Sequence, residues 1–238
     1  MIKQLELPSI YKEREHNPVP DKFKKYIGRP ALSYSSYTSF NEEGYRGEFF
    51  GNKFLKLPKE DTIFTLFGSS VGAYQETGSR QDYLTSFDMT VLDKEKPANT
   101  EAEYEREVVI DRGSYIIYGF VDRILRTSPK SIRLDDFKTG SIEKKKKEYA
   151  SEDYNQTTTY SYALDGEGLN IDYSGVILFD RKGNTLDQTS KNVLRLTGEI
   201  EYIPTPYSRE RAEKFLLKMD ETALKIEKYW KVYKKYFG

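Results

Sequence analysis

Near the end of the segment Ile132–Gly140, which reads IRLDDFKTG, an aspartate and a lysine stand two residues apart. Side chains on a strand alternate between faces, so Ile132, Leu134, Asp136 and Lys138 share one side, while Arg133, Asp135 and Phe137 share the other. The first side begins apolar, as a core-facing strand does, and ends in a carboxylate and an ammonium. Alone, Asp136 and Lys138 can be a cross-strand ion pair at a solvated strand end before a Thr-Gly turn, because so short a motif recurs by chance. A second carboxylate changes the weighing. In YGFVDRI, residues Tyr118 to Ile124, the inward set is expected to be Phe120, Asp122 and Ile124. An aspartate between two large apolar side chains is costly unless paired or metal-bound. If the two segments pair through the turn RTSPKS, Asp122 lies near Asp136, and two carboxylates converge with one lysine.

That constellation suits a hard divalent cation and the cleavage of a phosphodiester. Oxygen ligands favour magnesium or manganese, and magnesium keeps several waters while taking only one or two carboxylates. A bound cation lowers the pKa of water and polarises a phosphoryl oxygen. An ammonium at Lys138 can orient that water or stabilise the charge of the transition state. The backbone carbonyl of Phe137 is a further candidate ligand, with its side chain turned toward the core.

Composition narrows the alternatives. The 238 residues are 37% hydrophobic and 32% charged, which fits one polar, soluble domain with ample length for a core. No apolar run is long enough to span a bilayer, and the start MIKQLELPSIYKEREH lacks the apolar stretch of a secretion signal, so the cytoplasm is the expected location, with no membrane partner. The chain has no cysteine, which excludes disulfides, thiolate zinc sites and cysteine-held iron–sulfur clusters. Its one histidine, His16, lies in a polar stretch and is expected in an exposed loop, so a Ser-His-Asp or Cys-His mechanism is disfavoured. Lys and Arg total 38 against 38 for Asp and Glu, which by itself argues mildly against a nucleic-acid binder. Distribution matters more: Lys144 to Lys147 form a run, and seven lysines from Lys214 to Lys235 mark the C-terminal segment, though either is more often a solvated face than a site.

The elements that must position these residues follow from pattern. Leu32 to Phe54, rich in aromatics, is expected to be helical after a serine cap. Thr62 to Gly78 reads as a second helix, and residues 93–101 as a polar loop. Strand patterns cover Glu107 to Asp111, Ser114 to Leu125 and Ser131 to Lys138, with turns at DRGS and RTSPKS, forming an antiparallel meander. Tyr154 to Leu164 has helical spacing, Tyr173 to Asp180 reads as a buried strand before an RKGN turn, and Ser208 to about Phe237 as a long helix. The order predicts an α/β fold: a mixed central sheet, the meander plus a further strand, flanked by helices. One domain over residues 1–238 is expected, with its motif core at about 32–180.

In this order the motifs resemble those of the RecB-type branch of the PD-(D/E)XK nucleases. The matching residues are Gly119 with Asp122 and Arg123, then Asp136-Phe137-Lys138-Thr139-Gly140, then Gln156 and Tyr160. Gln156 and Tyr160, four apart, share a helix face. The resemblance implies a restriction-endonuclease-like core and a Mg2+- or Mn2+-dependent deoxyribonuclease. Asp122 and Asp136 would hold the metal, Lys138 would act on the nucleophilic water, and Gln156 and Tyr160 would position Lys138 or DNA. More loosely, Ser33, Ser35, Ser36 and Phe40 are similar to the family's serine-rich opening helix. Glycine, Gly72, stands where the family's helical histidine is expected. Glu76, with Gln75 as its competitor, is the candidate to bring an oxygen ligand instead. The resemblance further implies a stand-alone, phage-like exonuclease without an iron–sulfur cluster, whose partner is DNA, single- or double-stranded, at its ends, in recombination, repair or processing. Recombination or replication proteins are possible further partners. Two rivals stay open: a catalytically inactive DNA-binding protein on the same fold, and a structural or protein-interaction protein. The 20 tyrosines do not choose, since they can stack on unpaired bases or fill a core.

Overall fold

A computed structural model describes residues 5–12, 19–42, 46–58, 61–97, 101–183 and 193–237. The chain is a mixed α/β protein with, among the described residues, six strands: β1 (Ala31–Ser33), β2 (Ala102–Asp111), β3 (Ile116–Arg126), β4 (Ser131–Gly140), β5 (Asn170–Gly183) and β6 (Leu194–Pro204). They form one sheet in the order β1-β3-β4-β5-β6, and β2 also pairs with β3. β3 runs antiparallel to β4 and β5 antiparallel to β6, whereas β1–β3 and β4–β5 are parallel, so the sheet is mixed as the pattern predicts. The helices are α1 (Tyr34–Asn41), α2 (Arg46–Lys53), α3 (Ile63–Thr77), α4 (Ser86–Asp93), α5 (Ile142–Tyr149), α6 (Gln156–Gly166) and α7 (Arg209–Phe237), with a short 3-10 turn at Asp21–Tyr26. None of the described helices is long and apolar enough to cross a membrane.

The chain divides into two compact units, one of residues 1–59, 107–119 and 213–238, the other of residues 60–106 and 120–212. In the first, Tyr11, Phe23, Tyr26 and Ile116 form a buried cluster. Phe50 stacks on Trp230 and Tyr233, and Asp220 of α7 receives the Tyr115 hydroxyl at 2.8 Å and the Arg112 guanidinium. In the second unit, α3 and α4 cover one sheet face. Ile63, Phe67, Val71, Val91 and Leu92 meet Phe137 of β4, Ile177 and Phe179 of β5, and Leu194 and Leu196 of β6. The opposite face of β4 and β5 carries α6.

Helix α3 shows why the local sequence folds as it does. The Thr62 side chain caps its first turn, accepting the Thr65 N–H at 3.2 Å, and Phe67, Val71 and Tyr74 recur on one buried face. Gly78 ends it with φ of 67°, a left-handed turn that glycine takes without steric cost.

Several boundaries differ from the pattern reading. The segment 32–54 is not one helix: Leu32 and Ser33 belong to β1, and Ser33 caps α1 through the Ser36 N–H at 3.1 Å. α4 and β6 were not expected from the pattern, and Asp93, assigned to a polar loop, ends α4. Asp88 ties them together. Its carboxylate accepts the Thr85 N–H at 2.7 Å, completing a capping box, and the Leu196 N–H at 2.6 Å. That carboxylate is fully buried, and these N–H groups replace the water it loses. Thr139 and Gly140 continue β4 alongside Phe179 and Asp180 rather than turning. Arg181 to Gly183 likewise continue β5, with Asn184 outside the described residues. Phe120, assigned inward, is 41% exposed. His16 also lies outside the described residues.

Register between β3 and β4 is held by charge. Arg123 faces Asp135 across the ladder and donates to it from Nε at 2.9 Å and from its terminal nitrogen at 2.7 Å, with both side chains buried. Arg123 also reaches the Glu95 carbonyl at 2.6 Å, and the half-exposed Arg133 donates to the other Asp135 oxygen at 2.7 Å. Removing one partner of a buried pair leaves the other charge uncompensated. Asp135→Ala is therefore expected to cost about 3–5 kcal/mol, against less than about 1 kcal/mol for Arg133→Ala; urea unfolding of the two variants checks the contrast.

Candidate functional site

Because Arg123 is opposite Asp135, the next residues along the two strands set Asp122 opposite Asp136 on the other face. The regular β3–β4 ladder ends at this point. Instead of a backbone partner, the Phe137 N–H finds the Asp122 carboxylate at 2.6 Å. A residue's N–H and C=O point to the same side of a strand, so the Phe137 carbonyl also looks toward β3. The Phe137 ring turns into the α3–α4 core, with the Arg123 guanidinium 5.1 Å from its centroid.

Asp136 is 1% exposed. One of its oxygens, Oδ2, accepts the Tyr154 hydroxyl at 2.8 Å and the Lys138 ammonium at 2.7 Å. The other, Oδ1, is buried and has no hydrogen-bond partner among the described residues. An ion pair at a solvated strand end would not bury a carboxylate this deeply, nor leave an oxygen bare at the cost of its hydration.

Helix α6 completes the surroundings. Gln156 donates to the Tyr160 hydroxyl at 3.2 Å, and its carbonyl lies 3.2 Å from the Tyr154 hydroxyl. Gln156, Tyr160, Tyr154, Asp136 and Lys138 thus form one connected group. Tyr154, which the pattern reading puts at the start of the helix and not among the site candidates, lies two residues before α6 begins and reaches the site from there.

The charges explain the titration. Burial, then the Asp136 carboxylate, pushes the Asp122 carboxyl up to about 7, against the pull of the Lys138 ammonium and the Phe137 N–H. Burial opposes the Lys138 ammonium, but Asp136 and Asp122 outweigh it and hold the lysine above its ordinary value. Lys138 is therefore a fixed cation and a hydrogen-bond donor rather than a base. Burial and the neighbouring Asp136 likewise raise Tyr160, which stays a neutral phenol.

Glu76 and Gln75 separate cleanly. Gln75 is buried and donates to the Leu92 carbonyl at 2.8 Å, which ties α3 to α4. Glu76 is exposed at the end of α3. Its charge acts on Glu105 of β2, whose carboxyl is raised by burial, by Glu76 and by Asp136. Glu105 was not among the sequence candidates, since the strand pattern was assigned only from Glu107. It has φ of 48°, a left-handed conformation that costs a non-glycine residue roughly 1 kcal/mol. The alternation of Glu103, Glu105 and Glu107 was the signal available for it.

The donors at the site are oxygens, with one buried oxygen unpartnered, a set whose chemistry fits a hard divalent cation. Asp122 and Asp136, with the Phe137 carbonyl beside them, are the residues that could hold it. No group of three or more His, Cys, Asp or Glu side chains able to hold a metal ion occurs among the described residues.

No protein-family model matches the chain, and no curated protein matches it. Among solved structures, the chain is similar to a protein from Eubacterium rectale described as a "Putative exonuclease", at 11% identity over 83% of this chain and 81% of that one, with a TM-score of 0.47. It is also similar to SSO0001, at 18% identity over 71% of this chain and 79% of that one, with a TM-score of 0.35.

The folded state favours the neutral Asp122 carboxyl, so its contribution to stability is full below the ordinary carboxylate range and is lost as pH rises through about 7. Asp122→Asn keeps an acceptor for the Phe137 N–H and removes the charge. In EDTA at pH 8 this variant is expected to be more stable than the parent, by on the order of 1–3 kcal/mol. The difference should vanish near pH 4; calorimetric melting at both pH values checks it.

Proposed function

We propose that the protein is a divalent-metal-dependent DNA nuclease, an exonuclease acting from DNA ends in recombination, repair or DNA processing. The observation that carries this reading is the buried Asp136 carboxylate, opposite Asp122 and paired with Lys138, with one oxygen left without a partner. The resemblance of the D…DFKTG…QxxxY order to the RecB-type PD-(D/E)XK nucleases supports it, as does a donor set made of oxygens.

In this reading Asp122, Asp136 and the Phe137 carbonyl hold magnesium or manganese. The bound cation supplies Lewis acidity toward a phosphoryl oxygen. Lys138, kept cationic by its two carboxylates, donates to the attacking water or to the equatorial oxygens as negative charge accumulates there. Tyr154 holds Asp136 Oδ2, which leaves Oδ1 as the free donor. Gln156 bridges Tyr154 and Tyr160 and keeps both hydroxyls on the site side of α6. Glu76 acts at the edge of the site through Glu105.

A second reading, a DNA-binding protein without activity, draws on Gly72 at the family's histidine position and on the two-carboxylate donor set. Incubation with end-labelled linear and closed circular DNA, with and without magnesium or manganese, separates them. The nuclease reading expects metal-dependent shortening of linear DNA with the circle spared; binding without cleavage in either cation supports the second.

Lys138→Ala is expected to lower cleavage about 100- to 1,000-fold while leaving metal binding largely intact, because its ammonium acts mostly on the transition state. Asp136→Ala should lose metal binding as well. A calorimetric metal titration beside the nuclease assay distinguishes the two, and full cleavage by a folded Lys138→Ala protein would remove the catalytic role of β4. Tyr154→Phe deletes one hydrogen bond to a ligand and is expected to weaken metal affinity roughly 10- to 100-fold, read in the same titration.

A further inference from the structure

One arginine of the second unit lacks the partner that others there have. Arg106 is held by Glu103 and Glu167, and Arg123 and Arg133 are both held by Asp135. Arg181, half-buried near the end of β5, has no carboxylate partner among the described residues. Its guanidinium lies 4.3 Å from the centroid of the Phe64 ring on α3, and that ring is itself 40% exposed. The β5–β6 register shifts between Phe179 and Arg181, a bulge of the kind that re-aims a side chain.

Nearby carboxylates are committed elsewhere. Asp180, the neighbour in the chain, accepts the Ile142 N–H at 3.0 Å and the Thr197 hydroxyl at 2.8 Å. Glu148 of α5 holds Lys145 at 2.6 Å, so Lys145 is compensated and adds no net charge. Lys145 and Arg181 still repel each other. Burial holds the Arg181 guanidinium below its ordinary value. A cation deprived of both water and an anion is costly, and stacking on one ring offsets only part of that cost.

Gly140 is level with Asp180, so Arg181 stands just past the C-terminal end of β4, the sheet edge at which open α/β proteins bind ligands. Lys138 is level with Leu178, which places Arg181 about 10 Å further along the strand. Tyr149 links the two. Its phenol acts on Arg181 and is acted on by Lys138, and its ring packs edge-on against Tyr154, which holds Asp136. Arg181 lies on the α3 side of this edge and Lys138 on the α6 side, so a ligand that reaches both crosses the end of β4.

We propose that Arg181 anchors a phosphate of the nucleic-acid strand other than the one cleaved, with the Phe64 ring fixing the plane of the guanidinium. The identity of the substrate rests on the nuclease reading. A guanidinium presents paired N–H donors that match phosphate oxygens, and the phosphate supplies the anion that the fold withholds. An extended polyanion suits the place better than a small one, because only it spans the sheet end from Arg181 to Lys138.

The experiment measures binding of the whole protein to a fluorescein-labelled DNA hairpin with one free end, by anisotropy in EDTA, so that no cleavage is needed. In a series of such hairpins each phosphate near the free end is replaced in turn by an uncharged methylphosphonate, and one member lacks its terminal phosphate. For the parent, one position is expected to weaken binding about tenfold; an internal position assigns the anchor to the backbone and the terminal one to the strand end. Arg181→Gln should bind the unmodified hairpin about tenfold more weakly, with a salt slope shallower by about 1. The sensitive position should no longer matter to it. Arg181→Lys keeps the charge and the packing; in it the effect at that position should fall to about threefold, which serves if Arg181→Gln does not fold. A purely structural stacking of Arg181 on Phe64 predicts a lower melting temperature and an equal loss for every member of the series. That result overturns the proposal, as does unchanged affinity in Arg181→Gln, a positional effect that persists in both variants, or no binding of the hairpin. Positional loss through Arg181 without cleavage in magnesium or manganese keeps the anchor and overturns the nuclease reading alone.

Discussion

The buried ion pair between Arg123 and Asp135 is the contact on which the second unit depends. It joins directly opposed residues of β3 and β4, so it selects one register among the shifts that backbone pairing alone would permit. A shift by one residue would leave a guanidinium buried without its carboxylate and turn each side chain of one strand to the wrong face. The same register sets Asp122 against Asp136. The two faces of the strand pair are thus coupled: a compensated Asp135, with two arginines, holds in place an undercompensated pair of carboxylates with one lysine.

That imbalance is maintained at a cost in stability. Asp122 and Asp136 repel each other where solvent screens them poorly, and Asp136 keeps one oxygen bare. A core built for stability alone would place apolar side chains there, continuing Ile132 and Leu134, and most folded proteins satisfy nearly every buried polar atom. The Phe137 N–H, the Tyr154 hydroxyl and the Lys138 ammonium orient the carboxylates without completing their coordination. Oriented acceptors with spare capacity are what a cation requires of its ligands.

The first unit uses a different means of cohesion. Its contacts are largely aromatic, from Tyr11 on Phe23 to Phe50, Phe54, Trp230 and Tyr233. Polar ties such as Asp220 with Arg112 and Tyr115 add direction to packing that is otherwise tolerant of rotation.

The sequence by itself determined the elements whose signals are local. α3 carries its own cap, its apolar spacing and its terminal glycine; β3 and β4 alternate and are separated by a turn; Asp122, Asp136 and Lys138 stand out because charge interrupts an apolar pattern, whereas Gln156 and Tyr160 stand out only through the resemblance to RecB-type nucleases. Only the tertiary structure decided what depends on partners distant in the chain. Nothing in the pattern around Asp88 signals its burial; Leu196, 108 residues away, supplies the N–H that it accepts. Tyr154 has no periodic relation to Asp136, and the two meet because β4 and the start of α6 are folded together. Gln75 and Glu76 differ by one step of helix phase, about 100°, and the neighbouring carbonyl of Leu92 buried the first and left the second exposed. Phe120 alternates correctly yet faces outward, because strand parity fixes which residues share a face and packing alone decides whether that face is covered.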